Sequence, residues 1–124
     1  MGIFNLRNRN KTNLFNYTDF YSTDIHSHLI PGIDDGSQDI EESLEIIASM
    51  SNMGIKKIIT TPHISMLYPN TPDNIYNGLT KLQKEVAARN IDIKLEVAAE
   101  YMVDDVFVEI LKNGQLMTLA KTMF

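Results

Sequence analysis

Three times along this chain a short β-branched or apolar run is followed by turn residues and then by apolar positions at helical spacing. That alternation is the strongest constraint on its fold. Thr23–His28 reads as a strand running into a Gly- and Asp-rich loop, after which Ile40, Leu44, Ile47 and Ala48 share one helical face as far as Met53. Ser37 is the expected N-cap, Asp39, Glu41 and Glu42 load the first turns with negative charge, and Gly54 is the expected left-handed stop. Ile55–Thr60 reads as the second strand, ended by Pro62, with His63 just past its end and Ile64–Asn70 as a loop. Thr71 and Pro72 open a second helix with Ile75, Leu79, Leu82 and Val86 as its buried stripe, interrupted by Gly78. Ile91–Ala98 is the third strand, and Val103–Asn113 the third helix, stopped by Gly114. Glu41, Glu42, Glu45, Lys81, Lys84 and Arg89 fall on solvated helix faces. Strands joined by helical crossovers form parallel sheet with right-handed connections, so the expected class is α/β.

In such folds chemistry gathers at the C-terminal ends of the strands. His26, His28, Asp35, His63 and Glu100 all fall at that edge. Alternation along a strand puts His26 and His28 on one face and sends Ile25 and Leu29 into the opposite layer. Two imidazoles followed by Asp34 and Asp35, with a further histidine after the next strand, make a donor set able to hold a metal ion. Taken singly, these residues also fit surface histidines and an acidic turn. Asp104 and Asp105 read better as charges compensating a helix dipole. Imidazole and carboxylate suit Zn, Mn or Fe rather than copper(I) or calcium.

Composition narrows the classes. With 124 residues the chain suffices for one small domain, and its formal net charge of −5 argues against nucleic acid as a partner. There are no cysteines, which excludes disulfides, thiolate metal sites and a cysteine nucleophile within these residues and fits a reducing cytoplasm. No apolar run approaches a membrane span. Residues 1–22 lack periodicity and read as a flexible N-terminal arm. Its Ile3, Phe4 and Leu6, beside Arg7, Arg9 and Lys11, offer at most a weak membrane-surface contact. Residues 23–124 form the domain.

The runs Asp24-Ile25-His26-Ser27-His28, Pro31-Gly32-Ile33-Asp34-Asp35-Gly36, Thr61-Pro62-His63 and Ala99-Glu100-Tyr101 resemble the polymerase-and-histidinol-phosphatase (PHP) superfamily. They are most similar to its bacterial metal-dependent protein-tyrosine phosphatases of capsular and exopolysaccharide biosynthesis. The resemblance implies a distorted (β/α)7 barrel, of which this chain would supply an N-terminal portion of three βα units. It implies a centre of up to three ions, often manganese, with Zn2+ or Fe2+ as alternatives, and hydrolysis of phosphotyrosine on a polysaccharide-export tyrosine kinase. By position, His26 and His28 bind one metal with Glu100, Asp35 and His63 bind another, Glu100 bridges, and Asp34 supports the loop. No protein group beyond the metal-bound water acts as nucleophile. The family's second half contributes a further glutamate, a histidine in an Ala-His-Pro-Glu-Arg-like motif and a late Asp-x-His, none of which occurs in this chain. Without them the expectation is a partial cluster, self-association through an open barrel edge and an inactive chain, with Leu116, Met117 and Leu119 left without a layer to pack against. The competing readings are a histidinol-phosphatase type of PHP enzyme and a non-catalytic half-domain that binds metal or a partner.

Overall fold

The computed structural model describes residues 22–119. The strands are β1 (Thr23–Asp24), β2 (Lys57–Thr60), β3 (His63–Ile64), β4 (Lys94–Val97) and β5 (Glu100–Tyr101), and the helices are α1 (Ile40–Asn52), α2 (Pro72–Ala88) and α3 (Asp105–Lys112). A three-stranded sheet has the order β1-β2-β4 and a two-stranded sheet pairs β3 with β5, every pair being parallel. The parallel α/β arrangement expected from the alternation is therefore present.

The small sheet prolongs the large one. Ala98 N–H donates to the Thr60 carbonyl (3.0 Å) and Glu100 N–H to the Pro62 carbonyl (2.9 Å), so the β2 and β4 lines carry on across the gap into β3 and β5. Pro62 lacks an N–H but keeps its carbonyl, so it interrupts the ladder without ending it. His63 thus lies in a resumed strand rather than past the last one, and Ile64 belongs to that strand instead of the following loop. The first strand differs more. Its ladder ends at Asp24, so the histidines sit on a segment beyond it, and Ile25, expected in the opposite layer, is 54% exposed.

α1 starts two residues later than Ser37 suggests. Asp39 is the N-cap, its carboxylate accepting from Glu42 N–H at 2.9 Å. Ser37 is instead buried, with its hydroxyl 2.7 Å from that of Ser43. α2 begins at Thr71 and Pro72 as expected and buries Ile75, Leu79, Leu82 and Val86. Gly78 has a steric reason to be glycine, because a Cβ there would collide with the Ile30 side chain, which is almost wholly buried against the helix. Arg89 and Glu41, both expected to be solvated, form an exposed pair joining α2 to α1 at 2.9 Å. α3 is capped by Asp104 and contains no fully buried residue.

The core lies between the large sheet and α1 and α2, with Leu44, Ile47, Ile58, Leu82 and Leu95 at its centre. Burying each such side chain contributes about 1.5–3 kcal/mol. The opposite sheet face carries charge: Lys57 and Lys94 both reach Glu96 at 2.9 Å and hold its carboxyl at about 2. Met117 corrects an expectation. Rather than lacking a layer, it is buried in the core cluster, its carbonyl accepting from Ala99 N–H (3.2 Å) and its N–H donating to the Tyr101 hydroxyl (2.8 Å). Leu119 remains 46% exposed. The N-terminal arm, its membrane-surface contact and the end of the chain lie outside the described residues, apart from Ser22 and Leu119 at the margins.

Candidate metal centre

The segment bearing His26 and His28 is held in place by the end of β2. Thr60 Oγ1 donates to the Ser27 carbonyl (2.9 Å) and accepts from Leu29 N–H (3.0 Å), and Thr61 N–H donates to the same carbonyl at 2.6 Å. These bonds stand in for the ladder that ends at Asp24 and anchor the backbone at Ser27. The two rings then meet edge to face, their centroids 5.4 Å apart. In the small sheet, register pairs His63 with Glu100. The result is a carboxylate surrounded by imidazoles: Glu100 Oε2 lies 3.0 Å from His28 Nε2, 3.6 Å from His63 Nδ1 and 3.7 Å from His26 Nε2. Asp35 enters from the loop, with Oδ1 3.2 Å from His63 Nε2.

Asp34 organises this set from beneath. Its side chain is fully buried, and Oδ2 lies 2.8 Å from His28 Nδ1 while also accepting from His63 N–H at 2.9 Å. Its other oxygen accepts from Gly36 N–H at 3.0 Å. Burial pushes the Asp34 carboxyl upward, and the bonds from His63, Gly36 and His28 outweigh it, holding the group below the usual carboxylate value. With Nδ1 of His28 engaged by this carboxylate, Nε2 is the nitrogen left to face Glu100, an arrangement that sets tautomer and ring orientation together. Gly36 packs so closely under His28 that a Cβ would collide with the histidine Cβ and carbonyl.

Two groups of donor atoms result, His26/His28/Glu100 and His28/Asp35/His63, each with its atoms within 4.8 Å of one another. The donors are imidazole and carboxylate only, as a borderline or hard divalent cation requires. Their mutual distances leave room for an ion among them, since such metal–ligand bonds are about 2.0–2.2 Å long. Two buried polar atoms in the same segment, Asp24 Oδ2 and Ser27 Oγ, have no hydrogen-bond partner among the described residues. Every candidate ligand expected from sequence, His26, His28, Asp35, His63 and Glu100, thus falls in one cluster, with Asp34 supporting it.

Several contributors escaped sequence reasoning. Tyr68 stacks on the His63 ring at 5.4 Å and 12°. Asn70 Nδ2 donates to both the His63 and Ile33 carbonyls at 2.9 Å, tying the loop after β3 to the loop that carries Asp34 and Asp35. Thr60 and Thr61 carry no spacing signal, although their place beside Pro62-His63 offered a hint. Two hollows of about 700 and 660 Å3 lie away from the cluster, beside Tyr76 and Met117 and beside Ile33 and Lys81 respectively.

Comparison with known proteins bears on this arrangement. The family model described as capsular polysaccharide synthesis, CpsB/CapC, matches residues 22–124. The tyrosine-protein phosphatase YwqE of Bacillus subtilis is 29% identical over 102 residues, covering 82% of this chain and 40% of that protein. The tyrosine-protein phosphatase CpsB of Streptococcus agalactiae is 30% identical over 102 residues, covering 82% of this chain and 42% of that protein. In structure the chain is similar, at a TM-score of 0.72 and 30% identity, to a chain from the crystal structures of YwqE from Bacillus subtilis and CpsB from Streptococcus pneumoniae, described as unique metal-dependent tyrosine phosphatases. That match covers 81% of this chain and 41% of the other. The chain spans about two-fifths of the length of these relatives.

Proposed function

The chain belongs to the CpsB/CapC family of capsular polysaccharide synthesis, and from that premise we propose that it supplies part of the metal centre of a protein-tyrosine phosphatase. The observation that carries the reading is the convergence of His26, His28 and His63 on the single oxygen Glu100 Oε2. In it, His26, His28 and Glu100 would hold one divalent ion and Asp35 and His63 a second, with Glu100 available to either. Manganese, zinc or iron(II) suits the donors.

A divalent ion bound there supplies Lewis-acid polarisation of a phosphoryl oxygen and acidifies water. The protein's own share is positional. Asp34 fixes the His28 ring and the His63 backbone, Thr60 and Thr61 anchor the histidine segment at Ser27, and the β3–β5 register brings Glu100 to His63. No thiol is present among the 124 residues to form a phosphocysteine.

The reading extends to the whole protein. Its substrate is a phosphotyrosyl protein, the tyrosine kinase of polysaccharide export, and its place is the cytoplasm; no helix among the described residues is long and apolar enough to cross a membrane. The five strands and three helices contribute three βα units to a (β/α)7 barrel whose lumen faces Lys57, Lys94 and Glu96, with residues 1–22 as an arm outside the domain. The relatives' names favour a protein substrate over a small molecule. The test is calorimetric binding of a phosphotyrosyl peptide and of histidinol phosphate to the chain in manganese. Tighter binding of the peptide is expected. Tighter binding of histidinol phosphate would move the reading to a small-molecule phosphatase, and metal retention with neither ligand bound would leave a metal-binding half-domain.

A further inference from the structure

We propose that an exposed apolar rim beside the cluster, made by Met66, Leu67, Met102 and Val103, docks the polypeptide on either side of the phosphotyrosine and selects apolar neighbours for it. The inference rests on the phosphotyrosine reading and adds a specificity surface to it. The four side chains are 69%, 74%, 60% and 80% exposed. Single exposed apolar residues need no explanation, but four gathered on two adjoining loops do.

Their gathering follows from the sheet. β3 and β5 are parallel neighbours with His63 opposite Glu100 and Ile64 opposite Tyr101, so the chain leaves both at the same end. Met66 and Leu67 follow His63, and Met102 and Val103 follow Glu100, which places the rim next to the candidate ligands. The two loops are bonded together: Met66 N–H donates to Asp104 Oδ2 at 3.0 Å while Asp104 Oδ1 caps α3 through Phe107 N–H at 2.9 Å. The first loop is also closed on itself, Ser65 N–H donating to the Tyr68 carbonyl (3.0 Å) and Tyr68 N–H to Ser65 Oγ (3.1 Å). The apolar side chains are therefore presented on a preorganised backbone. Tyr68, next to Leu67 in the first loop, stacks on His63. A phosphoryl group bound to metal that Glu100 and the histidines would hold brings its aromatic ring towards Tyr68 and lays the adjoining residues across the two loops. A small phosphate ester reaches the cluster without touching them.

The test uses the full chain in manganese and fluorescence anisotropy with two labelled phosphotyrosyl peptides, one flanked by Leu and Val and one by Ser and Gly, alongside the unphosphorylated Leu/Val peptide. The Leu/Val phosphopeptide is expected to bind about tenfold tighter than the Ser/Gly one, as burial of one or two exposed apolar side chains implies. In the Leu67→Ser/Val103→Ser variant that preference is expected to vanish while competition by O-phospho-L-tyrosine stays unchanged. Both positions are exposed, so the variant is expected to fold as the wild type does, checked by its melting temperature. Equal binding of the two phosphopeptides by the wild type, or a preference that survives in the variant, overturns the rim. If the variant instead changes only the sedimentation behaviour of the chain, the rim is a self-association surface and the proposal fails. Failure of the underlying reading looks different: the unphosphorylated peptide then binds as tightly as its phosphorylated form, and the rim as a phosphotyrosine-linked surface falls with it.

Discussion

Asp34 and His63 are joined across 29 residues by one hydrogen bond, from the His63 backbone N–H to the buried Asp34 Oδ2 at 2.9 Å. The same oxygen lies 2.8 Å from His28 Nδ1. One carboxylate thus ties the loop after β1 to the start of β3 and aligns two candidate ligands, while its sequence neighbour Asp35 points outward with a side chain 60% exposed.

This contrast predicts opposite signatures for the two aspartates. Asp34→Asn replaces an acceptor for three donors by an amide and leaves one of them poorly paired, so it is expected to lower stability by about 1–3 kcal/mol. By loosening His28 it should also weaken metal binding by roughly 10–100-fold. Asp35→Asn should leave the melting temperature near wild type and impair metal binding at the His63 group. Thermal melts and manganese titrations of both variants check this. Loss of binding in Asp34→Asn with Asp35→Asn unaffected would reverse the assignment of the ligand.

The Asp34 carboxyl also predicts a pH dependence. Its value in the folded protein lies below the ordinary 3.8, so its ionised form stabilises the fold above that pH and the contribution is lost as pH falls through the lowered value. Wild-type stability should therefore fall below pH ~4 more steeply than that of Asp34→Asn. Parallel acid-denaturation curves for the two proteins would contradict the role given to the carboxylate.

Gly36→Ala is expected to disturb His28 directly. The added methyl meets the His28 Cβ and carbonyl, and backbone cannot yield as a flexible side-chain end would. An overpacking cost of about 1–3 kcal/mol is expected, together with weaker manganese binding. Gly78→Ala is the control: its methyl meets only the Ile30 side chain in the core and no candidate ligand, so it should cost stability and spare metal binding.

Much of this was legible in the sequence, for reasons that also explain the rest. The helix stripes of α1 and α2 follow a local period, and His26, His28, His63 and Glu100 could be placed because strand–helix alternation sends strand ends to one edge. Long-range bonds have no such period. Nothing local marks Asp34 rather than Asp35 as the buried partner of His63 N–H, or Tyr68 as the ring stacked on that histidine. Ser37 and Asp39 are both good N-caps. The choice fell to Asp39 because Ser37 is drawn inward, its N–H donating to the His28 carbonyl at 3.0 Å and its hydroxyl meeting that of Ser43. β1 is short because Thr60 and Thr61 take over the bonding of the chain at Ser27 with hydroxyls and one amide, a substitution that strand propensity does not register.

The edge of the sheet carries a prediction about behaviour. β4 pairs with β2 on one side; on the other, Gln83 Nε2 covers the Leu95 carbonyl at 2.9 Å, and the ladder is otherwise unpaired among the described residues. The 124 residues alone are expected to self-associate with rising concentration and to show negligible manganese-dependent hydrolysis of p-nitrophenyl phosphate. Sedimentation velocity and a phosphate-release assay check both. A monomer with turnover like that of the full-length relatives would contradict the expectation.

His26, His28, Asp35, His63 and Glu100 are expected to hold divalent metal between them. X-ray absorption at the manganese edge, recorded on the chain after gel filtration with manganese, tests it most directly. Bound metal is expected, with scattering from at least two imidazole rings alongside carboxylate oxygens; in the His26→Ala/His28→Ala variant the imidazole signal should shrink to what His63 alone supplies, and the affinity fall at least about tenfold, 1.4 kcal/mol or more. A spectrum of oxygen ligands alone, or wild-type metal content in that variant, would contradict it.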